Sequence, residues 1–301
     1  MKITSEKLTY LEDMAFEIRR LSLEMIAYGQ WGHPGGSFSL AELLSVLYFH
    51  DMKYDPKNPK MESRDRLILS KAHASPALYA SLELAGFIPK DSIYAYCEFG
   101  GLEGHTHIVT PGVESSGGPL GLGLSVAVGM AMGLRKKENP RSRVFCILGD
   151  GETNEGNVWE AAMSASHYHL DNVIAIVDYN KAMAKGFIWD LMSLEPLVDK
   201  WKAFGWNVIE IDGHDIEEVA KALHDARWIK ANGKPTVIIA HTVKGKGVER
   251  AEFNYKWHTH APDAETADAM MREMERTYGK PERGYSKLNV ELNKSSFYGG
   301  E

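Results

Sequence analysis

The sequence has few cysteines, no long apolar run and no excess of basic charge. Two cysteines in 301 residues are too few for the disulfide framework of a small secreted domain. Cys146 lies within an apolar run, so we expect a buried free thiol and a reducing, cytoplasmic setting. No stretch approaches the roughly 20 apolar residues that span a bilayer, and the first residues have no apolar signal core. We therefore expect neither a membrane span nor a secretory leader.

Acidic residues outnumber basic ones. The chain has 41 Asp and Glu against 34 Lys and Arg, which gives a formal net charge of -7. Because no basic stripe is present, nucleic acid is not expected as the main partner. The composition, 44% hydrophobic and 25% charged, is ordinary for a globular protein. The length permits one large α/β domain or two small ones.

Strand-like and helix-like segments alternate through the middle of the chain. Short apolar runs predict strands at 67–70, 144–148, 173–177, 206–211 and 236–240. Apolar spacing of three and four residues predicts helices at 6–28, about 39–50, 74–85, 121–134, 157–169, 216–231 and 264–278. Residues 31–37 predict a loop, and Ser39 is expected to cap the helix that follows. This alternation predicts an α/β fold of three layers, α/β/α, around a doubly wound, mainly parallel sheet.

Polar residues follow two of the predicted strands. Asp150 comes after one strand and Asn180 after the next, with a helix between them, so the unit reads as a βαβ crossover. In a parallel sheet both side chains emerge at the carboxyl edge, where such sheets bind ligands. Carboxylate, amide and backbone carbonyl oxygens suit Mg²⁺ or Ca²⁺ holding a diphosphate. Gly151 would let the backbone approach that ligand, although Gly-Asp-Gly alone is also common turn chemistry.

Glycine and histidine are concentrated in five further stretches. They are residues 32–36, 70–74, 104–107, 117–123, and 244–247 taken with 257–260. A zinc site is one interpretation, because His-x-His occurs at 105/107 and at 258/260. Structural zinc usually requires cysteines or tightly paired ligands, so the glycine-rich context favours an anion or sugar site.

In this order, the motifs resemble the thiamine diphosphate-binding half of transketolase. Gly-His-Pro-Gly, Ser-x-x-His-Ala, Gly-His, Gly-Pro-Leu-Gly, Gly-Asp-Gly-x-x-x-Glu-Gly and Asp-x-Asn all occur between about residue 10 and about residue 275. The resemblance implies a thiamine diphosphate-binding domain at 1–280 and a C-terminal tail at 281–301. It also implies Mg²⁺ or Ca²⁺ as the metal and the transfer of a two-carbon ketol unit from a ketose phosphate to an aldose.

The resemblance assigns metal and cofactor positions residue by residue. Asp150, Asn180 and the carbonyl of Ala182 would ligate the metal. The implied cofactor-binding set is His73, Gly118, Leu120, Gly151, Glu155, Glu160, Asp178, Asn180 and His258. Two positions depart from the family pattern near the cofactor, where Ala182 and Ala184 replace larger aliphatic residues. The pocket wall is therefore expected to differ, and the sugar substrate is left open.

The same resemblance assigns the catalytic histidines. His33 and His105 would face the substrate, and His258 would line the thiazolium side with His73. His33, His105 and His258 would pass protons, a task that suits imidazole near neutral pH. Glu155 and Glu160 match glutamates that link two active sites across a dimer interface. Apart from this resemblance, Glu155 and Glu160 are ordinary acidic residues near the start of a helix, where negative charge interacts favourably with the helix dipole.

A second protein chain is expected to complete the enzyme. A full transketolase continues into a pyrimidine-binding domain, whose glutamate protonates the aminopyrimidine ring of the cofactor, and no segment here matches that domain. The expected partner is a C-terminal transketolase subunit in an α₂β₂ assembly. Two alternatives stay open: a thiamine-dependent 2-oxoacid dehydrogenase subunit, which generally lacks the Gly-His-Pro-Gly loop, and a non-catalytic, regulatory thiamine diphosphate-binding module.

Overall fold

One parallel sheet organises the chain. The computed structural model describes residues 3–137, 142–229 and 232–285. Its strands are β1 (Arg66–Leu69), β2 (Val144–Gly149), β3 (Val173–Tyr179), β4 (Asn207–Asp212) and β5 (Thr236–His241). They lie in the order β1-β2-β3-β5-β4, and every pairing is parallel. All their carboxyl ends therefore meet at one edge of the sheet, as expected.

Helices connect these strands and cover both faces of the sheet. The α-helices of the described residues are α1 (Ser5–Gly29), α2 (Pro34–Phe38), α3 (Ala41–Val46), α4 (Ser75–Leu84), α5 (Gly123–Lys136), α6 (Gly156–His167), α7 (Ile188–Leu191), α8 (Leu197–Ala203), α9 (Ile216–His224) and α10 (Ala264–Thr277). None of these described helices is both long and apolar enough to cross a membrane.

Two hydrophobic cores lie on opposite faces of the sheet. Side chains alternate between the two faces along each strand. Phe145 and Ile147 of β2 pack in a core with α1, α3, α4, α9 and α10, whereas Cys146 and Leu148 pack in another with α5, α6 and α8. The predicted three-layer α/β/α fold is confirmed. Cys146 is buried and free, as its apolar surroundings predicted.

The segment after the first helix differs from its prediction. Residues 31–37 do not form a simple loop, because Pro34 begins the short helix α2, where its fixed φ suits the first turn. Ser39 caps no helix: its hydroxyl donates to Asp178 (2.7 Å), and the carbonyl of Gly36 lies 3.2 Å from the same oxygen. The cap prediction was wrong because the serine serves a contact distant in sequence. The predicted tail continues beyond the described residues after Tyr285.

Candidate active site

The predicted metal ligands gather at the carboxyl edge of the sheet. Asp150 follows β2 and Asn180 follows β3, and both side chains are buried. The Asp150 carboxylate accepts hydrogen bonds from the backbone N–H groups of Gly151 and Lys181. Ala182 is also buried, beside Asn180, whose side-chain oxygen accepts from the Ala182 N–H. Three oxygen-bearing groups of the expected kind therefore lie within two adjacent loops.

Asp150 has an unusual charge environment. Burial, and then repulsion from Asp178, raise the pKa of Asp150 to about 6, although Lys244 counteracts them. A buried carboxylate costs free energy unless a cation or hydrogen-bond donors compensate it. The site is thus built around a carboxylate that a bound cation would stabilise.

Four histidines from four separate motifs meet in one cluster. The ring centroids of His33 lie 5.1 Å from His73, 5.3 Å from His258 and 6.1 Å from His105. His73 and His258 are themselves 5.2 Å apart. Trp31 packs against His33 at 5.1 Å and against His105 at 5.4 Å. The structure therefore brings together every histidine predicted for the site.

The histidines are held neutral. Burial, with help from neighbouring lysines and imidazoles, lowers the pKa of His33 to about 4 and that of His258 to about 3. Burial also lowers the pKa of His73 and of His105. The Nδ1 atom of His33 is buried without a hydrogen-bond partner among the described residues. Such an orphaned polar atom in a cluster of polar side chains is typical of a ligand site.

Two buried lysines, which the sequence motifs did not single out, complete the charge pattern. Lys71 Nζ pairs with Asp178 and donates to the carbonyl of Gly36. Lys244 Nζ donates to the carbonyl of Ala182 (2.8 Å) and to Nδ1 of His258 (2.9 Å). An ammonium group only donates, so Nδ1 of His258 accepts and its Nε2 carries the proton. Burial, followed by repulsion from Lys71, lowers the pKa of Lys244 to about 8.

Nothing in the sequence alone distinguished these lysines from solvated ones. A Lys-Gly-Lys-Gly run resembles an exposed turn, and lysine is rarely buried without a partner. Only their positions after predicted strands could have indicated that they belong to the site: Lys71 follows β1 and Lys244 lies three residues after β5. Both strand ends belong to the ligand-binding edge.

Glu152 clamps the loop that carries Gly118 and Leu120. Its buried carboxylate accepts from the N–H groups of Gly121 (2.8 Å) and Gly149 (2.9 Å) and from the Ser70 hydroxyl. The loop is thereby fixed relative to the end of β2. Leu120 is exposed, so the face of the loop predicted to touch the cofactor is left uncovered.

Not all predicted site residues converge. Glu155 and Glu160 are exposed, one in the turn before α6 and the other on that helix. Among the described residues, no group of three or more His, Cys, Asp or Glu side chains is arranged to hold a metal ion. His260 packs against Trp257 and His107 accepts from the Val109 N–H, so neither His-x-His pair is arranged as a zinc site.

Neutral histidines make stability depend on pH. The pKa of His33 falls from its ordinary 6.5 to about 4 on folding. Between these values the unfolded chain binds a proton that the folded chain does not, so the free energy of unfolding decreases as the pH falls. From pH 7 to pH 5, the free energy of unfolding should decrease less in His33→Asn than in the parent. The two decreases should differ by up to about 2 kcal/mol. Urea denaturation at both pH values measures this difference, and equal losses in the two proteins would contradict it.

The chain matches a known protein family over most of its length. The family model described as "Transketolase, thiamine diphosphate binding domain" matches residues 11–286. The chain belongs to the transketolase family. The predicted resemblance is confirmed, and with it the class of transferase and the thiamine diphosphate-binding domain; neither alternative function is favoured.

Several bacterial relatives are transketolase subunits of similar length. The 6-deoxy-6-sulfo-D-fructose transketolase subunit SqwG of Clostridium sp. (strain MSTE9) is 43% identical over 274 residues, which are 90% of this chain and 98% of that protein. An apulose-4-phosphate transketolase subunit of Phocaeicola vulgatus is 40% identical, covering 91% of this chain and 96% of that protein.

Single-chain transketolases match over about half their length. The crystal structure of transketolase from Campylobacter jejuni superposes with a TM-score of 0.85 at 32% identity, covering 98% of this chain and 46% of that one. Human transketolase is 36% identical and is covered over 43% of its length. This transketolase chain therefore corresponds to one half of the single-chain enzymes.

Proposed function

We propose that this chain is the thiamine diphosphate-binding subunit of a two-chain transketolase. It would move a two-carbon ketol unit from a ketose phosphate, or a related anionic sugar, to an aldose. The observation that carries this proposal is the cluster of four neutral histidines, which Lys244 links through His258 to the carbonyl of Ala182, two residues after Asn180. We assign residues 1–280 to the cofactor-binding domain and 281–301 to a tail.

The donor set fits a hard divalent cation. Asp150 supplies a charged oxygen, and Asn180 and the carbonyl of Ala182 supply neutral ones, which suits Mg²⁺ or Ca²⁺. The raised pKa of Asp150 indicates that this carboxylate lacks full compensation inside the protein. We therefore propose that a metal binds these three residues.

The surrounding groups fit a diphosphate and the rings it carries. Lys244 adds a buried cation beside the metal ligands, and His73 and His258 add N–H donors. Gly118 has a φ of 149° and open space where a Cβ would stand, so it leaves room beside Leu120 for the aminopyrimidine ring. We propose these residues, with Gly151, as the cofactor contacts.

The imidazoles would handle protons at the substrate. Thiamine diphosphate supplies the electron sink for cleaving a carbon–carbon bond next to a carbonyl. His33 has an unpaired Nδ1 among the described residues, and Trp31 packs against both His33 and His105 and orients their rings. We propose that His33 and His105 hold substrate hydroxyls and pass protons at the carbonyl oxygen. His258 would donate from Nε2, because Lys244 occupies its other nitrogen.

A second polypeptide would supply the remaining chemistry. The similar bacterial proteins are named as subunits, one of a 6-deoxy-6-sulfo-D-fructose transketolase and one of an apulose-4-phosphate transketolase. We propose that a C-terminal subunit carries the pyrimidine-binding domain, in an α₂β₂ assembly, and that Glu155 and Glu160 lie at an interface between chains. The two free cysteines support a reducing cytoplasmic location.

A reconstitution assay tests this proposal. Ketol transfer is measured with thiamine diphosphate and Mg²⁺, first with this chain alone and then with the candidate C-terminal subunit. We expect turnover only in the mixture, without release of CO₂. Release of CO₂ from a 2-oxoacid would instead identify a dehydrogenase subunit, and cofactor binding without turnover in the mixture would identify a non-catalytic module.

A further inference from the structure

Asp178 lies behind the predicted metal site rather than in it. Its side chain is 0% exposed at the end of β3, in the interior of the sheet. One carboxylate oxygen accepts from Lys71 Nζ, the Ser39 hydroxyl (2.7 Å) and the Asn180 amide (2.8 Å). The other accepts from the Thr242 hydroxyl. With four protein donors on a fully buried carboxylate, Asp178 is occupied by the protein itself rather than open to a ligand.

One of these four contacts fixes the orientation of a predicted metal ligand. An ionised carboxylate can only accept hydrogen bonds, so the Asn180 group that faces Asp178 must be the NH₂. On its other side, Asn180 Oδ1 accepts from the N–H of Ala182 at 3.3 Å. Both neighbours require the same orientation, with the amide oxygen toward the backbone of Ala182, another predicted ligand.

Lys71 keeps Asp178 in the form that this orientation requires. Its ammonium forms an ion pair with the Asp178 carboxylate, which also accepts from the hydroxyls of Ser39 and Thr242. Lys71 is itself held by the carbonyl of Gly36 at 3.0 Å, in the Gly-His-Pro-Gly segment. The buried ion pair between Lys71 and Asp178 thus connects the Gly-His-Pro-Gly segment to the end of β3, where Asp178 contacts Asn180.

We propose that Asp178 is a positioning residue: it holds the Asn180 amide so that its oxygen faces the metal, and it does not touch the cofactor. The alternative orientation would direct an NH₂ donor at the cation. This inference rests on the proposed function, because it requires the metal site formed by Asp150, Asn180 and Ala182. It replaces the direct cofactor contact that the family resemblance implied for Asp178.

The central test removes the acceptor that faces Asn180. In Asp178→Leu nothing accepts from the Asn180 NH₂, so the amide is free to turn and its oxygen to leave the metal. We expect the affinity for Mn²⁺ to fall by about 10- to 100-fold, the range for loss of a group that orients a metal ligand. Asp178→Asn also lacks the charge but keeps the acceptor, because its amide oxygen can take the place of the oxygen that accepts from Lys71, Ser39 and Asn180 while its NH₂ donates to Thr242. We expect the Mn²⁺ affinity of Asp178→Asn to stay within about threefold of the parent.

Mn²⁺ binding is measured by electron paramagnetic resonance on the assembled enzyme with thiamine diphosphate present. Thr242→Val is the matched control, because it removes a donor from the same carboxylate without touching Asn180. We expect its Mn²⁺ affinity to stay within about threefold of the parent, since the orienting contact is intact. Circular dichroism verifies the fold of each variant.

Three outcomes would overturn the inference. Parent-like Mn²⁺ affinity in a folded Asp178→Leu would show that Asn180 needs no orientation. A loss in Asp178→Asn as large as that in Asp178→Leu would show that charge, not the acceptor for the Asn180 amide, matters. If Asp178→Leu does not fold, Asp178→Asn decides alone, because a loss of about tenfold or more in that variant would contradict the inference. Parent-like affinity in Asp150→Ala would instead refute the proposed metal site itself.

Discussion

Replacing Asp150 with alanine is expected to weaken Mg²⁺-dependent binding of thiamine diphosphate by at least about 100-fold, and ketol transfer by at least as much. Asp150 is the one charged donor of the proposed metal set, and it is only 3% exposed. Its loss has a second consequence. The Asp150 carboxylate raises the pKa of Lys244, so without it the pKa of that buried ammonium falls further and the positive charge beside Ala182 weakens.

Calorimetric titration of thiamine diphosphate at several Mg²⁺ concentrations separates the two effects. Loss of the metal ligand removes the Mg²⁺ dependence, whereas loss of charge on Lys244 makes residual binding stronger at lower pH, where the amine is protonated. Asp199→Ala is a suitable control, because its side chain is 73% exposed on α8. Unchanged Mg²⁺ dependence in Asp150→Ala would refute the proposed ligand set.

His33→Ala is expected to lower kcat by about 10²- to 10⁴-fold, the range for loss of a positioned proton-transfer group. His33 is buried between three other imidazoles and Trp31, and its Nδ1 has no partner among the described residues. Its side chain makes no hydrogen bond to the proposed metal ligands in the part of the chain that the structure describes. We therefore expect the affinity for thiamine diphosphate to change only a few-fold, since the loss falls on proton transfer rather than on binding.

Steady-state kinetics of the assembled enzyme, paired with calorimetry of the cofactor, measure this split. His33→Asn retains a hydrogen-bonding group but cannot carry a proton at neutral pH, so its kcat should stay nearly as low as that of the alanine variant. His167→Ala, in the last turn of α6 and exposed, is the control. A loss in cofactor affinity as large as the loss in kcat would assign His33 to binding instead.

The strands and the polar residues that end them could be predicted from sequence. Asp150 and Asn180 each follow an apolar run, and the parallel alternation of strands and helices is enough to place both at one edge of the sheet. The histidines are different: no periodicity brings His33, from the start of α2, to His258, far along the chain. Only the order of their glycine-rich motifs predicted that they meet.

Buried charges and the segment before α3 could not be predicted. Whether Lys71, Asp178 or Glu152 is buried depends on partners distant in sequence, since a charged residue is rarely buried without an opposite charge or several hydrogen-bond partners. Ser39 shows the same limit, because local sequence favoured a helix cap while a tertiary contact to Asp178 determined its role. The two glycines after Pro34 favoured a loop, yet the proline fixed the first turn of a helix.

The single carboxylate of Glu152 has a consequence for how this protein can change over evolutionary time. It binds the end of β2, the loop before α5 and Ser70 after β1, while the Ser70 hydroxyl accepts from the N–H of Gly123 at 3.1 Å. A substitution in any of these segments alters the acceptor that the others share. Mutations in these three segments should therefore be strongly epistatic. A changed conformation of the loop before α5 should arise by paired replacement of Ser70 and Glu152 more readily than by single substitutions.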